Sequence, residues 1–223
     1  MIKTILFDLD GTLLNTLDDL ADAGNWVCAQ NGWPTHPVEA YKRMVGNGIP
    51  KLVERFSPPD CRAPEQLAAT LAQFSARYDA HKQDKTAPYP GIEELLAALR
   101  AEGVQTAVFS NKADELCPQL LAHYFGAGAF SAVRGSRPGV PTKPDPAGLL
   151  DLMRTIGADA ATSLFVGDSD VDIRTGHNAG LPACGVLWGF RTEEELTRAG
   201  AEHLAAAPAD LLALVRKENG KAE

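Results

Sequence analysis

Phe7-Asp8-Leu9-Asp10-Gly11-Thr12 puts two carboxylates two residues apart at the end of a short apolar run. An ionised carboxylate can attack phosphorus and carry the phosphoryl group as an aspartyl phosphate. A second carboxylate close by can give a proton to the leaving oxygen and later take one from water. Asp8 and Asp10 can divide these two roles between them. Gly11 allows a sharp turn and brings a backbone N–H towards a phosphate. Short motifs also arise by chance, and the plainer reading of these residues is an Asp-Gly turn with a helix-capping aspartate.

Three further groups follow apolar runs. Phe109-Ser110-Asn111-Lys112 offers a hydroxyl and an amide that can hold phosphate oxygens, although Ser-Asn before a helix is also an ordinary N-cap. Thr142-Lys143-Pro144-Asp145-Pro146 fixes one lysine between Gly/Pro-rich backbone and a helix starting at or near Pro146. An ammonium held there can neutralise a phosphate and the attacking carboxylate together; a surface lysine before a helix is the commoner meaning. Gly167-Asp168-Ser169-Asp170-Val171-Asp172 ends a buried strand in three acids. Oxygen ligands without imidazole or thiolate suit Mg²⁺, with Asp168 the preferred ligand beside Asp8 and the main-chain carbonyl of Asp10. Asp172 can orient Lys143 or a metal-bound water, and Asp170 reads as a helix-start acid. His177 reads as an exposed helix residue, and the five histidines form no ligand set.

The elements that must position these residues follow from periodicity. A β run over 4–9 is followed by helical patterns over 18–30, 38–45, 49–56 and 65–82, with no strand between 16 and 87. Pro88-Tyr89-Pro90-Gly91 then marks a boundary. Beyond it helices over 92–101, 114–124, 146–156 and 171–179 alternate with strands over 105–110, 132–134, 163–167 and 183–187. That alternation predicts an α/β fold, a parallel sheet covered by helices on both faces. The division expected is an α/β core of residues 1–15 plus 88–223, interrupted by a helical cap over 16–87. Ligands in such sheets sit beyond the carboxyl ends of the strands, which is where Asp8, Asp10, Ser110 and Asp168 fall.

Composition sets limits. A net charge of −8 and a pI near 5.1 argue against a nucleic-acid partner, which selects a basic face. The four cysteines are widely spaced and read as free thiols in a reducing cytosol. The apolar N-terminal stretch is too short for a signal peptide, and no run reaches the roughly 18 apolar residues of a membrane helix, so the cytoplasm is expected. Residues 217–223 read as a solvated tail.

Taken in order after successive strands, these motifs resemble the haloacid dehalogenase superfamily. The resembling residues are Asp8, Asp10, Gly11 and Thr12, then Ser110, then Lys143, then Gly167, Asp168 and Asp172. The resemblance implies a Rossmann-like core with an inserted cap. It also implies Mg²⁺-dependent hydrolysis of a small phosphorylated metabolite through an aspartyl phosphate. Asp10 separates phosphatases from dehalogenase members, which lack it. Gly11, Thr12 and Asn111 are expected to touch substrate. Two stretches, 45–55 and 185–191, look like the phosphoglycolate phosphatase branch. They add Asn47 and Gly48 as substrate contacts, with Arg43, Lys51, Arg55 and Arg191 either meeting a carboxylate or forming ordinary solvated faces. Asn15 and Gly176 depart from that branch, where Asp and Ala are common. Pyrophosphate, sugar phosphates and nucleotides are alternative substrates. A phosphomutase using the same aspartates is a rival, and a binding-only module is disfavoured because no catalytic residue is missing. A monomer or homodimer is expected, with closure of the cap on connectors 13–16 and 86–91.

Overall fold

The strand Thr4–Phe7 (β1) consists of four buried residues, a run that can bury both faces only inside a parallel sheet. The computed structural model, which describes residues 1–220, places it there. After it come the two-residue strand Leu14–Asn15 (β2) and the helices Leu17–Gln30 (α1), Val38–Met44 (α2), Ile49–Phe56 (α3) and Pro64–His81 (α4), with a 3₁₀ turn at Pro59–Cys61. Ala87–Pro88 (β3) closes this helical block by pairing antiparallel with β2, Leu14 opposite Pro88. Sequence periodicity alone does not announce so short a ladder.

The remainder alternates: Ile92–Ala101 (α5), Gln105–Ala113 (β4), Leu116–Phe125 (α6), Val133–Ser136 (β5), Ala147–Ile156 (α7), Ser163–Gly167 (β6), Asp170–Asn178 (α8), Ala183–Val186 (β7), Glu193–Ala199 (α9), His203–Ala205 (β8) and Pro208–Glu218 (α10). The six-stranded sheet has the order β5-β4-β1-β6-β7-β8, every pair parallel. The expected parallel α/β sheet is what the chain forms. Phe7 lies opposite Val108 and Val166, so β1 and β6 end side by side while β4 runs on beyond them.

Apolar side chains divide accordingly. One cluster, including Ile5, Phe7, Leu96, Leu120 and Val166, packs on one face of the sheet, and another, with Leu6, Phe109, Leu152 and Phe165, on the other. The helical block has its own cluster around Leu20, Val27, Tyr41, Phe56, Phe74 and Tyr78, joined from outside by Leu116 and Phe190. Asp19 of α1 ties down the returning connector: its carboxylate accepts from the N–H groups of Lys85 (2.9 Å) and Thr86 (2.8 Å) and from the Thr86 hydroxyl (2.7 Å).

Three details differ from the sequence expectations. β4 runs on past Ser110 to Ala113, with a register shift against β5 between Phe109 and Ala113. Beyond residue 187 the chain still forms α9, β8 and α10; β8 is a three-residue edge strand with too little pattern to read. The expected tail is partly structured, because Lys217 and Glu218 belong to α10. Asn219 accepts from Ile2 N–H (2.6 Å) and donates to Ile2 C=O (2.9 Å). Residues 221–223 of that tail lie outside the described residues. The four cysteines are free, three of them buried. Among the described residues no helix is long and apolar enough to cross a membrane.

Candidate active site

Parallel pairing brings the ends of β1 and β6 to one place. Asp8 follows β1, its N–H held by Val166 C=O at 2.9 Å, and Asp168 follows β6. Asp172 sits one turn into α8, where the Ser169 hydroxyl caps the helix and both Ser169 N–H (3.0 Å) and Oγ (2.6 Å) donate to Asp172 Oδ2. Carboxylate oxygens of Asp8, Asp168 and Asp172 lie within 4.8 Å of one another. Lys143, from the loop after β5, reaches into this cluster: Nζ is 2.6 Å from Asp172 Oδ1 and 2.8 Å from Asp8 Oδ1. All four side chains are buried.

Three carboxylates against one ammonium leave an excess of acidic groups in a buried site. Burial raises the Asp8 carboxyl from its ordinary 3.8 to about 7; Lys143 opposes that rise, while Asp172 and Asp10 add to it. The Asp168 carboxyl is held well above its ordinary value by burial first, then by Asp172 and Asp8. For Lys143 burial works against the charged form, but Asp172 and Asp8 outweigh it and hold the ammonium's pKa above its ordinary value. An all-oxygen donor set carrying uncompensated charge fits a divalent cation.

Asp168 is gripped on two sides. Its Oδ2 accepts from Phe190 N–H at 2.7 Å. Gly11 and Gly189 come so close that a Cβ on either would lie 2.4 Å from Asp168 Oδ2 or 2.2 Å from Asp168 Cβ. Gly11 also has φ +85°, a conformation that other residues avoid. Its own N–H donates to Leu14 C=O at 2.9 Å. Gly11 makes room for the acid.

Asp10 faces the neighbouring cavity, together with Asp8, Ser110, Asn111 and Lys112. Sequence reasoning gave Lys112 no role, yet it is buried and its Nζ donates to both Asp10 oxygens (3.0 and 3.3 Å) and to the Tyr78 hydroxyl (2.7 Å). The signal that could have found it is period two: if the strand runs past Ser110, residue 112 shares the face of residue 110. The cavity holds about 30 Å³ and is roofed by Leu20, Val45, Ile49 and Leu52 of the helical block. Gly48, also expected at the substrate, lines it.

The other residues expected at the substrate make bonds of their own. Asn111 uses its amide as a clamp, accepting from Lys143 N–H (2.8 Å) and donating to Gly46 C=O (3.1 Å) and Lys143 C=O (3.2 Å). It positions the lysine loop. Thr12 is fully buried away from the cavity wall, its C=O accepting from Trp188 Nε1 at 2.9 Å. The Asn47 side chain accepts from Arg55 (2.7 Å), which also donates to Met44 C=O (2.6 Å). Lys51 pairs with Glu54, Arg43 with Glu195, and Arg191 donates to the carbonyls of Lys42 and Val45. The last carbonyls of α2 thus recruit Arg55 and Arg191, because a helix C-terminus leaves them without partners. His177 meets Glu202 (3.0 Å) on the surface of α8.

The profile of the haloacid dehalogenase-like hydrolase family matches residues 5–186. The phosphoglycolate phosphatase of Caulobacter vibrioides is 35% identical over 204 residues, covering 89% of this chain and 84% of that protein. The phosphoglycolate phosphatase of Thiobacillus denitrificans is 31% identical over 219 residues, covering 97% and 96%. Among solved structures, CbbY from Rhodobacter sphaeroides in complex with phosphate has a TM-score of 0.78 at 26% identity, covering 95% of this chain and 96% of that one. A match over residues 5–186 includes Asp8, Asp10, Ser110, Lys143, Asp168 and Asp172, and the chain belongs to the haloacid dehalogenase-like hydrolases.

Proposed function

We propose that this chain is a Mg²⁺-dependent phosphatase that hydrolyses 2-phosphoglycolate through a phosphorylated Asp8. The observation that carries the reading is the position of Asp8. It lines a small cavity beneath the helical block, 2.8 Å from the Lys143 ammonium, with Asp10 on the same cavity wall. An Asp8 oxygen attacks phosphorus, the bond from phosphorus to the alcohol oxygen breaks, and Asp10 supplies the proton that oxygen needs. Water then attacks the aspartyl phosphate, Asp10 takes its proton, and inorganic phosphate leaves with Asp8 regenerated. Ser110 and Lys143 hold the phosphoryl oxygens, and Lys143 balances their charge throughout. Asp8, Asp168 and the Asp10 carbonyl would hold the Mg²⁺, which supplies positive charge to the transferring group. Asp172 fixes Lys143.

A small substrate agrees with the small cavity, about 30 Å³, beneath Leu20, Ile49 and Leu52. On this reading residues 16–87 act as a cap that moves aside to admit substrate. The phosphoglycolate phosphatases 31–36% identical to this chain support the choice of ester. The same reading puts the protein in the cytoplasm, as a monomer or homodimer, acting on a metabolite and not on nucleic acid.

The test is phosphate release with Mg²⁺ across a panel of 2-phosphoglycolate, pyrophosphate, sugar phosphates and nucleoside monophosphates, beside Asp8→Asn. The expected result is metal-dependent release that is lost in the variant and highest for 2-phosphoglycolate. Equal release from the variant would remove Asp8 from the chemistry. A preference for a sugar phosphate would overturn the choice of substrate while leaving the reaction standing.

A further inference from the structure

Lys112 is a buried cation with one anionic partner, Asp10, and one neutral partner, Tyr78. Its side chain is 1% exposed, and its ammonium also lies 4.7 Å from the centre of the Tyr78 ring. Tyr78 comes from α4 of the helical block, Lys112 from the end of β4, and Asp10 from the turn after β1. The chain of contacts therefore crosses from the helical block to the acid that faces the cavity. A buried ion pair is a weak device for stability, since an apolar pair of like volume usually serves as well. Its position on the cavity wall calls for another account.

We propose that Lys112 is a positioning residue for Asp10 and that Tyr78 sets Lys112, so that the acid is in place only while α4 is docked. The inference rests on the phosphatase reading and adds to it a link between the helical block and proton delivery. With three donors on Nζ, Lys112 grips both Asp10 oxygens and the tyrosine hydroxyl at once, which fixes the carboxylate in two directions. Tyr78 is itself held, fully buried and stacked on Phe74 with ring centres 5.8 Å apart. When α4 withdraws, Lys112 loses the Tyr78 hydroxyl. Asp10 is then free to turn away from the leaving oxygen.

The experiment compares two esters by their leaving groups. Glycolate is a poor leaving group and needs the proton from Asp10, whereas p-nitrophenolate departs without one. Kinetics of wild type, Lys112→Met, Tyr78→Phe and the double variant are measured on 2-phosphoglycolate and p-nitrophenyl phosphate. Because a misplaced catalytic group costs about 100-fold, Lys112→Met is expected to lower kcat/KM about 100-fold on 2-phosphoglycolate and less than about 10-fold on the aryl ester. Tyr78→Phe keeps the ring stack and is expected to give the same pattern at about 5-fold, and the double variant to be no worse than Lys112→Met alone. Equal losses on both esters would mean a generic structural role and overturn the proposal, as would losses that multiply in the double variant. Unchanged activity in Lys112→Met would do the same. A wild type that releases phosphate from neither ester would instead sink the phosphatase reading, and this inference with it.

Discussion

Removing the charge of the proposed nucleophile should stabilise the metal-free protein. Asp8 ionises at an ordinary 3.8 in the unfolded chain and at about 7 in the fold, mainly because burial disfavours the carboxylate. Between those values the folded state binds the extra proton, so the group's contribution is fully present below pH 3.8 and is lost as pH rises to about 7. A shift of about 3 units at about 1.4 kcal/mol each sets a ceiling of about 4 kcal/mol; relaxation and shared protons within the cluster reduce this to about 2 kcal/mol. Asp8→Asn removes the penalty and leaves Lys143 its pair with Asp172. The variant should therefore be about 2 kcal/mol more stable than wild type at pH 8 in chelator, a rise of about 4–8 °C in Tm for a chain of this size. At pH 4 the difference should vanish, because Asp8 is then neutral in the fold. Millimolar Mg²⁺ should also erase it, by stabilising wild type through binding. Urea unfolding at pH 4 and pH 8, with chelator and with Mg²⁺, measures all three. An Asp8→Asn protein less stable than wild type at pH 8 in chelator would refute the account of the site as a store of unfavourable charge.

Three further outcomes are expected. Lys143→Met strips the cluster of its cation, and in chelator should cost about 3–5 kcal/mol in urea unfolding, largely restored by Mg²⁺, with turnover lost in either condition. Gly11→Ala forces a side chain into a positive φ and within 2.4 Å of Asp168 Oδ2, so it should cost about 1–3 kcal/mol and weaken Mg²⁺ binding by more than about tenfold in calorimetry. Asp19→Ala leaves the N–H groups of Lys85 and Thr86 without their acceptor. It should cost about 2–3 kcal/mol and speed hydrogen exchange at those two amides, while a cost under about 0.5 kcal/mol would show that this connector is not anchored through Asp19.

Asp8, Ser110 and Asp168 were legible because two signals coincide there. Each follows a short apolar run, and parallel pairing sets β4 and β6 on either side of β1. Lys143 was legible for a different reason. Prolines and glycines leave its backbone few choices, and Asn111 completes its hold by taking the Lys143 N–H. The edge strand β8 was not legible, because three residues carry too little alternation to identify a strand.

The cations of the helical block illustrate a harder limit. Spacing along α2 and α3 shows that Arg43, Lys51 and Arg55 are polar positions, but not which acceptor each will find. Arg55 and Arg191 are drawn to the carbonyls at the end of α2, a demand created by where that helix stops and by what packs against it. Lys112 is the converse. Read as a polar residue before a helix it has no reason to be buried; read as the last inward position of a longer strand, it has to find an anion and an acceptor nearby. Asp10 and Tyr78 meet that need from two distant parts of the chain. A buried lysine is thus a question about tertiary partners that sequence can raise and only the fold can answer. Here the answer joins the proposed acid to the helical block above it.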